Sequence, residues 1–539
     1  MQDHPLNVPL VLRHAERMHP RKTVTTRTEA GLVTTPYASV LERARRLVSA
    51  LRALGVREHE RVATFCWNHQ QHLEAYVGVP CLGAVLHTLN IRLFPADLAY
   101  IVEHAQDAVV IVDQSLLPAW QQVAAQVRCV RHTIVVRDVP GPLPEGALDY
   151  EELLDASDPA AELPRVPEDQ ACAMCYTSGT TGHPKGVVYS HRSNLLHSLV
   201  VLSADGLGVR ERDTILPIVP MFHANAWGLP YACLLAGADL VLPGRQLTPE
   251  PLLELMTRRG VTMAAGVPSI WLAMLEPMAQ ARLALGRLER ILCGGSAVPP
   301  ALQAAYRERV GVEIIHAWGM TETSPLGTLC RPLGEHDALE PEARAAVLAT
   351  QGRATPLVEL RIMDEDGAEL PWDGQAVGEV EVRGPWIASG YYQDQSSAGR
   401  FRDGWLRTGD VAAVDEQGYL RICDRTKDLV KSGGEWISSV ELEGHLVAHP
   451  QVAEAAVIAV PHPRWSERPL ACVVPRPAAR GKLTAAELLD FLRPRVAKWW
   501  LPDEVVFLDE LPKTSVGKLD KKVLRQRFKD HRLPGCEAP

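Results

Sequence analysis

A buried strand, a glycine-rich loop and a helical segment follow one another in the first half of this chain, and this succession limits the folds it can adopt. The run Ala171–Tyr176 is short and apolar, as in a strand that is covered on both faces. The loop Tyr176–Gly186 follows it, and the next segment, Val187–Leu202, is predicted to be helical. Because strands that alternate with helices build mostly parallel sheets, we expect an α/β fold.

The composition of the loop, Tyr-Thr-Ser-Gly-Thr-Thr-Gly-His-Pro-Lys-Gly, suits a polyphosphate. Its glycines let backbone N–H groups approach an anion, its hydroxyl side chains can donate hydrogen bonds, and Lys185 adds a positive charge. The loop lacks the Gly-Lys-Ser/Thr sequence of nucleoside-triphosphatase loops, because Pro184 precedes the lysine and Gly186 follows it. The alternative interpretation is a solvated polar turn between a strand and a helix.

The same alternation of helix and strand patterns extends over most of the chain. Helices are predicted over 37–54, 73–82 and 251–259, and strands over 61–66, 108–112, 213–219, 238–243 and 290–293, with a further strand from Glu313. Three of the strands lead into residues suited to a ligand, in the segments 220–228, 294–299 and 317–324. Strand ends of this kind, at one edge of a parallel sheet, are where α/β folds bind ligands.

The pattern changes after Leu357 to short alternating strands separated by turns. Strands predicted over 359–363, 378–382, 412–414 and 418–422 indicate a small antiparallel sheet or barrel. After Asp424 come predicted helices over 439–449 and 484–493 and predicted strands over 455–460 and 471–474. This tail of about 110 residues is long enough to form a domain of its own.

Composition excludes several classes of function. The 539 residues, 46% hydrophobic and 22% charged, are typical of a globular protein with more than one domain. With 56 basic and 65 acidic residues the net charge is -9, which gives no nucleic-acid footprint. The apolar stretch Val261–Leu275 contains Pro268 and is shorter than the roughly 20 residues that span a bilayer. Met1–Pro20 lacks the apolar centre of a signal peptide, so we expect a cytoplasmic protein.

The cysteines point to the same compartment. Eleven cysteines without regular spacing favour free thiols in a reducing cytoplasm. One pair, Cys172 and Cys175, has Cys-x-x-Cys spacing, but it lies inside an apolar run and has no second pair. We therefore predict strand packing for this pair rather than zinc or redox chemistry.

From about residue 23 to residue 527, the chain resembles the adenylate-forming superfamily of acyl-CoA synthetases, luciferases and peptide-synthetase adenylation domains. The resemblance is carried by six segments in the order of the family: Tyr176–Gly186, Gly294–Ala297, Ala317–Glu322, Thr408–Asp410, Asp424–Lys431 and Pro512–Lys518. Within the superfamily the chain is most similar to medium- and long-chain fatty acyl-CoA synthetases, on the segments Val219–Trp227, Gly433–Ser438 and Lys498–Pro502.

The resemblance implies a reaction in two steps. A carboxylate first attacks the α-phosphate of ATP and gives acyl-AMP and pyrophosphate, and the thiol of coenzyme A then displaces AMP. ATP and coenzyme A are the co-substrates and Mg²⁺ the metal. The implied architecture is α/β, with a large N-terminal domain of doubly wound sheets plus a small β-barrel, and a smaller, mobile α+β C-terminal domain. The implied limits are 1–424 for the ATP- and acyl-binding domain, 425–429 for a hinge and 430–539 for the lid domain.

The resemblance also assigns site residues. It places the β- and γ-phosphates on Thr177, Ser178, Gly179, Thr180, Thr181, Gly182 and Lys185. The adenine would lie among Gly295, Ser296, Ala297, His316, Ala317 and Trp318, and the ribose would bind Asp410 and Arg425. Thr321 would contact the α-phosphate, Glu322 would coordinate Mg²⁺, and Lys518 would bridge the carboxylate and the α-phosphate. The remaining assignments are His223 and Trp227 for the acid, Lys427 for the hinge, and Gly433, Gly434 and Trp436 for coenzyme A. At position 318 the superfamily commonly has tyrosine, so stacking survives here but a phenol hydroxyl is lost.

Alternatives remain open at this point. The acid could be another hydrophobic carboxylate, with a thioether or an aryl group, and the acceptor thiol could belong to a carrier protein. Luciferase activity needs only an acyl-adenylate and oxygen. A non-catalytic protein that keeps the fold is disfavoured because Lys185, Glu322, Asp410 and Lys518 are all present. The resemblance also allows a homodimer.

Overall fold

The computed structural model describes residues 1–177, 183–433, 435–513 and 519–534. The strands up to residue 354 are β1 Thr23–Thr28, β2 Gly31–Pro36, β3 Arg61–Phe65, β4 Val85–Thr88, β5 Asp107–Asp113, β6 His132–Val136, β7 Leu148–Asp149, β8 Ala171–Tyr176, β9 Gly186–Ser190, β10 Thr214–Pro217, β11 Asp239–Leu242, β12 Met263–Gly266, β13 Arg290–Gly294, β14 Ile314–Gly319, β15 Leu326–Leu329 and β16 Arg353–Ala354.

The helices of the same part are α1 Val8–Met18, α2 Tyr37–Ala53, α3 Gln70–Cys81, α4 Pro95–Ala105, α5 Leu117–Ala124, α6 Tyr150–Asp155, α7 His191–Leu202, α8 Leu229–Ala236, α9 Pro249–Arg259, α10 Pro268–Gln280, α11 Pro300–Ala305 and α12 Pro341–Leu348. Single turns of tighter or wider helix lie at Gln114–Leu116, Ala224–Gly228, Arg282–Leu285, Tyr306–Val310, Thr321–Thr323 and Gly334–Ala338. None of the helices in the described part of the chain is both long and apolar enough to cross a membrane.

These strands form two sheets. The larger has nine strands in the order β16-β15-β14-β13-β12-β10-β11-β1-β2, and its centre, from β14 to β1, is parallel. The other has seven strands in the order β7-β6-β5-β3-β4-β8-β9, and only its last pair, β8 and β9, is antiparallel. The predicted mostly parallel, helix-covered architecture is therefore confirmed.

The main core lies between the two sheets. It joins Val24 of β1 and Ile215 of β10 with Leu86 of β4, and it includes the buried faces of helices α2, α3 and α8. Helix α2 shows how the sequence specifies this arrangement, because its residues at helical spacing, such as Val40, Leu47 and Leu51, are fully buried. Both sheets thus share one apolar layer, which holds the edges predicted to bind ligand in fixed positions.

A small antiparallel sheet follows in the chain. It comprises β17 Glu359–Met363, β18 Gly378–Arg383, β19 Phe401–Arg402, β20 Trp405–Val414 and β21 Leu420–Arg425. Its alternating residues pack in a core of their own, which includes Val380, Val382 and Trp386 and also takes in Trp318 from β14. The small sheet is therefore fastened to the end of β14, where sequence predicts a nucleotide site.

The C-terminal part has its own sheet of β22 Val430–Ser432, β23 Glu435–Ile437, β24 Val452–His462, β25 Ser466–Pro475 and β26 Glu504–Phe507. Helices α13 Ser439–Val447, α14 Ala485–Leu492 and α15 Lys521–Arg527 cover it, and single turns lie at Pro477–Ala479 and Lys498–Trp500. A further single turn, Gln395–Gly399, precedes β19 of the small sheet. Apolar clusters on both faces of this sheet make it a separate packing unit. The chain passes from the small sheet to this one between Arg425 and Val430.

One local prediction was wrong. The segment directly after the loop is strand β9, which pairs with β8, and the helix begins only at His191 with Ser190 as its N-cap. The residues 187–189 are Val-Val-Tyr, whose β-branched and aromatic side chains favour a strand. The loop thus connects two antiparallel strands, and both of its ends are fixed by a ladder of backbone hydrogen bonds.

The cysteine prediction agrees with the structure. Cys172 and Cys175 are buried free thiols on β8, and both pack in the main core, where an irregularity of the β8–β9 ladder follows Ala171. Cys172 Sγ accepts a hydrogen bond from Asn194, at 2.8 Å, and Cys175 Sγ lies 3.2 Å from the Thr88 hydroxyl. Each thiol thus contacts a different polar side chain within the core, as expected for strand packing.

Candidate functional site

The phosphate loop is closed at its base by Thr177 and Lys185. The Thr177 backbone N–H donates to the Lys185 carbonyl at 2.9 Å, and the Lys185 N–H donates to the Thr177 hydroxyl at 3.3 Å. The residues predicted to hold phosphate between them, Ser178, Gly179, Thr180, Thr181 and Gly182, lie outside the described residues. The described base of the loop brings the Thr177 hydroxyl and the Lys185 ammonium to the same end of the β8–β9 pair.

The Lys185 side chain meets the segment that follows β18. Its ammonium forms an ion pair with Asp394 at 3.0 Å and lies 4.8 Å from the ring centre of Tyr391. The backbone supports this contact, because the Tyr392 N–H donates to the Gly186 carbonyl at 2.8 Å. Lys185, the lysine predicted to bind phosphate, is thereby held at a defined place beside an aromatic ring.

Glu322 reaches the same tyrosine from the opposite direction. It lies in the turn Thr321–Thr323 directly after β14 and is buried, and its Oε1 accepts a hydrogen bond of 2.6 Å from the Tyr391 hydroxyl. Its carbonyl accepts from the Ala388 N–H, and the Thr321 carbonyl accepts from the Tyr189 hydroxyl, both at 2.8 Å. The carboxylate predicted to bind metal and the lysine predicted to bind phosphate therefore both contact Tyr391.

Sequence reasoning missed Tyr391 and Asp394. Burial, together with the nearby Glu322 carboxylate, raises the pKa of Tyr391, so its hydroxyl stays protonated and acts as a donor. Both residues lie in an irregular segment, 384–394, without helical or strand periodicity. The sequence signal that could have pointed to this segment is the tripeptide Gly-Tyr-Tyr at 390–392, but such a tripeptide is equally compatible with an ordinary turn.

The predicted adenine residues lie at the ends of two neighbouring strands. The ladder pairs Gly294 of β13 with Ala317 of β14, so that Gly295, Ser296 and Ala297 continue beside Trp318. Gly295 has φ +85°, a backbone conformation that L side chains rarely adopt, which explains the glycine. Ser296 and Ala297 are exposed, whereas Trp318 is only 7% exposed.

His316 is buried two residues before Trp318. Burial lowers the pKa of His316 to about 4, so the imidazole is neutral at physiological pH. The His316 side chain is therefore a neutral, buried imidazole next to the predicted adenine site.

Asp410, predicted to bind ribose, lies on β20 and receives hydrogen bonds from two directions. The Trp318 indole Nε1–H donates to Oδ2 at 2.8 Å, and the Arg425 Nε–H donates to Oδ1 at 3.1 Å. The Asp410 N–H donates to the Thr408 hydroxyl, which itself donates to the Val380 carbonyl. The coulombic attraction of Asp410 raises the pKa of the Arg425 guanidinium. The structure therefore joins Trp318, Asp410 and Arg425, which sequence had placed in one nucleotide site.

The residues predicted to meet the acid lie in an unusual turn. Asn225, Ala226 and Trp227 have φ values of +52°, +47° and +59°, which is left-handed backbone that costs L-residues energy. His223 precedes this turn, and Trp227 is partly buried against the main core. Strain of this kind collects at functional sites, in agreement with a role for the turn in binding.

The C-terminal residues are placed only in part. Gly433 has φ +62°, and a Cβ on it would lie 2.8 Å from the Trp465 ring, so only glycine fits this close approach. The Trp436 ring lies 5.6 Å from the Lys431 ammonium, and Lys427 is exposed between the two sheets. Gly434 and Lys518 lie outside the described residues.

A buried polar network joins the small sheet to the C-terminal domain. Asp424 of β21 accepts hydrogen bonds from the Ser439 N–H and hydroxyl at the start of α13, at 2.6 and 2.5 Å. The Lys521 ammonium of α15 contacts the Ser439 hydroxyl at 2.5 Å and Glu443 at 2.7 Å. The Ser438 hydroxyl also donates to the Cys423 carbonyl. One end of the C-terminal domain is thereby held against the end of β21.

A second cluster with metal-ligating side chains, Cys66, His69 and Asp113, is buried in the seven-stranded sheet. Its atoms already have partners: His69 Nε2 contacts Asp113 Oδ1 at 2.8 Å, and His69 Nδ1 accepts from the His72 N–H. Asp113 Oδ2 accepts from the Trp67 N–H, and Cys66 Sγ lies 3.5 Å from the Ile111 carbonyl. The cluster is therefore a satisfied polar network within the core.

Comparison with known proteins places the chain among enzymes. Residues 12–392 match the family described as AMP-binding enzyme, and residues 441–518 match the AMP-binding enzyme C-terminal domain. The long-chain-fatty-acid–CoA ligase of Thermus thermophilus is 49% identical over 98% of this chain and 97% of its own length. The 3-methylmercaptopropionyl-CoA ligase of Ruegeria lacuscaerulensis is 46% identical over 98% of both chains.

Two further proteins extend the comparison. The medium-chain-fatty-acid–CoA ligase of Ectopseudomonas oleovorans is 42% identical over 96% of this chain and 95% of its own. Among solved structures, the anthranilate CoA ligase AuaEII in complex with anthranoyl-AMP superposes with a TM-score of 0.86 at 28% identity, covering 98% of this chain and 99% of that one. The predicted resemblance is confirmed, and the chain belongs to the AMP-binding enzyme family of adenylate-forming CoA ligases.

Proposed function

We propose that this protein is an ATP-dependent acyl-CoA synthetase that activates a medium- or long-chain fatty acid through acyl-AMP. The observation that carries the proposal is the meeting of Lys185 and Glu322 on Tyr391. A cation for phosphate and a carboxylate for metal converge there from distant parts of the chain. Transfer of an adenylyl group to a carboxylate needs such a site, because an anion must approach a polyanion.

The phosphate loop and Lys185 would hold the β- and γ-phosphates, which leave as pyrophosphate. Thr321, which precedes the metal-binding candidate, would contact the α-phosphate. The Lys185–Asp394 ion pair would open or rearrange when phosphate binds, since the phosphate oxygens compete for the same ammonium. The Thr177 hydroxyl lies at the base of the loop and would donate to a phosphate oxygen.

Glu322 fits the Mg²⁺ that this chemistry uses. Mg²⁺ prefers carboxylate and phosphate oxygens and is often held by one or two protein carboxylates together with substrate phosphates. The hydrogen bond from Tyr391 to Oε1 fixes the orientation of the Glu322 carboxylate. When bound, the metal would neutralise phosphate charge. Tyr391 and the Ala388 N–H hold Glu322 in place for it.

The nucleotide would lie between the ends of β13 and β14 and the small sheet. Gly295, Ser296 and Ala297 would line one side of the adenine, with Ala317, Trp318 and His316 on the strand beside them. Asp410 would accept hydrogen bonds from the ribose hydroxyls, and Arg425 would support the carboxylate. In the ligase AuaEII, an acyl-adenylate is bound by the same fold.

The second step would use the C-terminal domain. Gly433 and Gly434, with Trp436, would line the path of the coenzyme A thiol, because a backbone without side chains admits a thin arm. We propose residues 1–424 and 430–539 as the two domains, 425–429 as the hinge with Lys427 at its centre, and a rotation between the two steps.

Lys518 would bridge the carboxylate and the α-phosphate in the first step. For Lys518→Ala we expect acyl-AMP formation to fall by about a hundredfold or more, while transfer from preformed acyl-AMP to coenzyme A is spared. Both half-reactions are measured separately by mass spectrometry. Equal loss in the two would contradict this role.

The substrate class rests on the relatives and on the acid site. Long-chain and medium-chain fatty-acid–CoA ligases are 49% and 42% identical to the chain, and His223 and Trp227 would border the carboxylate and the tail. The second candidate is a short thioether acid, because a 3-methylmercaptopropionyl-CoA ligase is 46% identical.

The test is a series of acids, from acetate to palmitate with 3-methylmercaptopropionate and benzoate included, each supplied with ATP, Mg²⁺ and coenzyme A. We expect the highest kcat/KM for a medium- or long-chain fatty acid, and a changed chain-length profile in Trp227→Ala. The highest kcat/KM for the thioether acid would favour the second candidate. Product formed only with a phosphopantetheinylated carrier protein would overturn the coenzyme A assignment.

A further inference from the structure

The indole of Trp318 makes a hydrogen bond that connects two sheets. Trp318 lies at the end of β14 in the nine-stranded sheet, and its Nε1–H donates to Asp410 Oδ2 on β20 of the small sheet at 2.8 Å. Asp410 is the predicted ribose ligand, and its side chain is 7% exposed. The acceptor of the indole hydrogen bond is therefore a carboxylate that is almost completely buried.

The two oxygens of Asp410 are engaged from opposite sides. Oδ2 accepts from Trp318 at 2.8 Å and Oδ1 from Arg425 at 3.1 Å. A carboxylate oxygen can accept two hydrogen bonds, so each oxygen keeps one further acceptor position. The two hydroxyls of a ribose need two acceptors side by side, and the two fixed donors leave the carboxylate with that pattern.

The surroundings of Trp318 make its N–H a rigid donor. The indole is 7% exposed and packs in the core of the small sheet with residues such as Val358 and Trp386. A Cβ added at Gly327 would lie 2.5 Å from its six-membered ring, so the backbone of β15 covers part of the ring. A side chain held in this way loses little entropy when its hydrogen bond forms.

We propose that Trp318 is a positioning residue for ribose recognition: its indole N–H fixes the rotation of the Asp410 carboxylate, so that the free acceptor positions face the two ribose hydroxyls. This inference rests on the proposed function, in which Asp410 binds ribose. If Trp318 only stacked on the adenine base, any aromatic ring would serve. Orientation of the Asp410 carboxylate requires the indole N–H as well. Phenylalanine at position 318 separates the two, since it keeps an aromatic ring and lacks a donor.

The test is nucleotide binding, which needs no acid substrate. The affinities of AMP and 2′,3′-dideoxy-AMP are measured by isothermal titration calorimetry for the wild type, Trp318→Phe, Asp410→Ala and the double variant. In Trp318→Phe we expect AMP affinity to fall about ten- to a hundredfold, as for the loss of a hydrogen bond to a charged group. The affinity of dideoxy-AMP should stay within about twofold of that of the wild type, because it has no ribose hydroxyls to position.

The double variant should bind AMP no more weakly than Asp410→Ala, because the indole acts through that carboxylate. An equal loss for AMP and dideoxy-AMP in Trp318→Phe would overturn the proposal and leave base contact or packing as the role. If thermal unfolding reveals that Trp318→Phe is not folded, the indole N–H resonance of Trp318 provides the second measurement. It must move in Asp410→Ala and, in the wild type, must move further on addition of AMP than on addition of dideoxy-AMP, which keeps the base. A resonance that does not move in Asp410→Ala, or that moves equally with the two nucleotides, overturns the proposal.

These outcomes are distinct from a failure of the proposed function. A wild type that binds AMP more tightly than dideoxy-AMP but forms no acyl-CoA would refute the synthetase proposal and leave the role of Trp318 intact. A wild type without preference for AMP would refute ribose recognition by Asp410, and the Trp318 proposal with it.

Discussion

Tyr391 places one hydroxyl group and one aromatic ring between two charged residues of opposite sign. Its hydroxyl donates to Glu322 at 2.6 Å, and its ring centre lies 4.8 Å from the Lys185 ammonium. Because burial raises its pKa, the hydroxyl remains a donor across the physiological range. A ring in this position keeps the cation and the carboxylate apart while it orients both.

Removal of the hydroxyl tests this role. Tyr391→Phe keeps the ring beside Lys185 and deletes the hydrogen bond to Glu322. We expect the Mg²⁺ concentration for half-maximal pyrophosphate release to rise about tenfold, which is typical when a residue that orients a metal ligand is lost. The rate at saturating Mg²⁺ should change little. Tyr392→Phe, at the neighbouring tyrosine, is the matched control, and an unchanged Mg²⁺ dependence in Tyr391→Phe would contradict the role.

Sequence identified the charged residues of the site but not the residue that joins them. Lys185, Glu322 and Asp410 stand in segments whose order resembles a family, and the geometry brings each beside a neighbour that suits its predicted chemistry. Tyr391 could not be found in this way, because the irregular segment around it carries no periodic pattern. Only the folded backbone, with Tyr392 bonded to Gly186, places it at the site.

At the scale of elements, three pieces of secondary structure share one buried network. Asp424 at the end of β21, Ser439 and Glu443 on α13, and Lys521 on α15 contact one another in turn. Burial raises the pKa values of both carboxylates, and the Lys521 ammonium opposes that shift. The positive charge of Lys521 therefore compensates the cost of burying the two carboxylates.

Lys521→Met leaves two buried carboxylates without their cation. We expect the free energy of unfolding to fall by about 3–5 kcal/mol, the usual cost of removing one partner of a buried ion pair. Lys522→Met, on the exposed neighbouring residue, should change it by less than about 0.5 kcal/mol. Urea unfolding followed by tryptophan fluorescence measures both variants.

The pH dependence separates charge from packing in that variant. Without the lysine, the folded-state pKa values of Asp424 and Glu443 rise further, so the variant regains stability as pH falls and the carboxylates become protonated. The deficit relative to the wild type should shrink between pH 8 and pH 5.5. A deficit that is constant over this range would indicate lost packing instead.

Elements were predicted well where periodicity is strong and poorly where it is short. Helix α2 begins and ends within one residue of its predicted limits, because a full set of apolar positions repeats at helical spacing. For strand β9 the sequence wrongly predicts a helix, since its five residues carry too little pattern to outweigh the helical sequence that follows. Its pairing with β8 is a tertiary contact that periodicity does not encode.

At the scale of the whole molecule, buried histidines set the response to acid. Burial lowers the pKa of His72 to about 3 and the pKa values of His191, His197 and His316 to about 4. His69 shifts the other way, because the Asp113 carboxylate outweighs burial and raises its pKa. In the unfolded chain a histidine has a pKa of about 6.5. Between pH 6.5 and pH 4, these four histidines therefore bind more protons in the unfolded state than in the folded state.

Stability should consequently fall as pH drops below about 6.5, by about 1.4 kcal/mol per pH unit for each such histidine. We expect the thermal midpoint to be nearly constant between pH 7 and pH 8 and to drop steeply from pH 6.5 towards pH 4.5. His191→Gln should reduce the pH dependence of stability by the contribution of one histidine. His4→Gln, at an exposed residue near the N-terminus, should leave the pH dependence unchanged. A midpoint that does not change with pH down to 4.5 would contradict this account.

On the proposed function, one chain performs two successive reactions, formation of acyl-AMP and transfer of the acyl group to coenzyme A. Pyrophosphate release from ATP, Mg²⁺ and a long-chain fatty acid, measured with and without coenzyme A, tests it most directly. Without coenzyme A we predict a burst of about one pyrophosphate per chain, because acyl-AMP stays in a site that excludes water; with coenzyme A, release should continue with an equal amount of acyl-CoA. No burst without the thiol, or continued release without acyl-CoA, would contradict the claim.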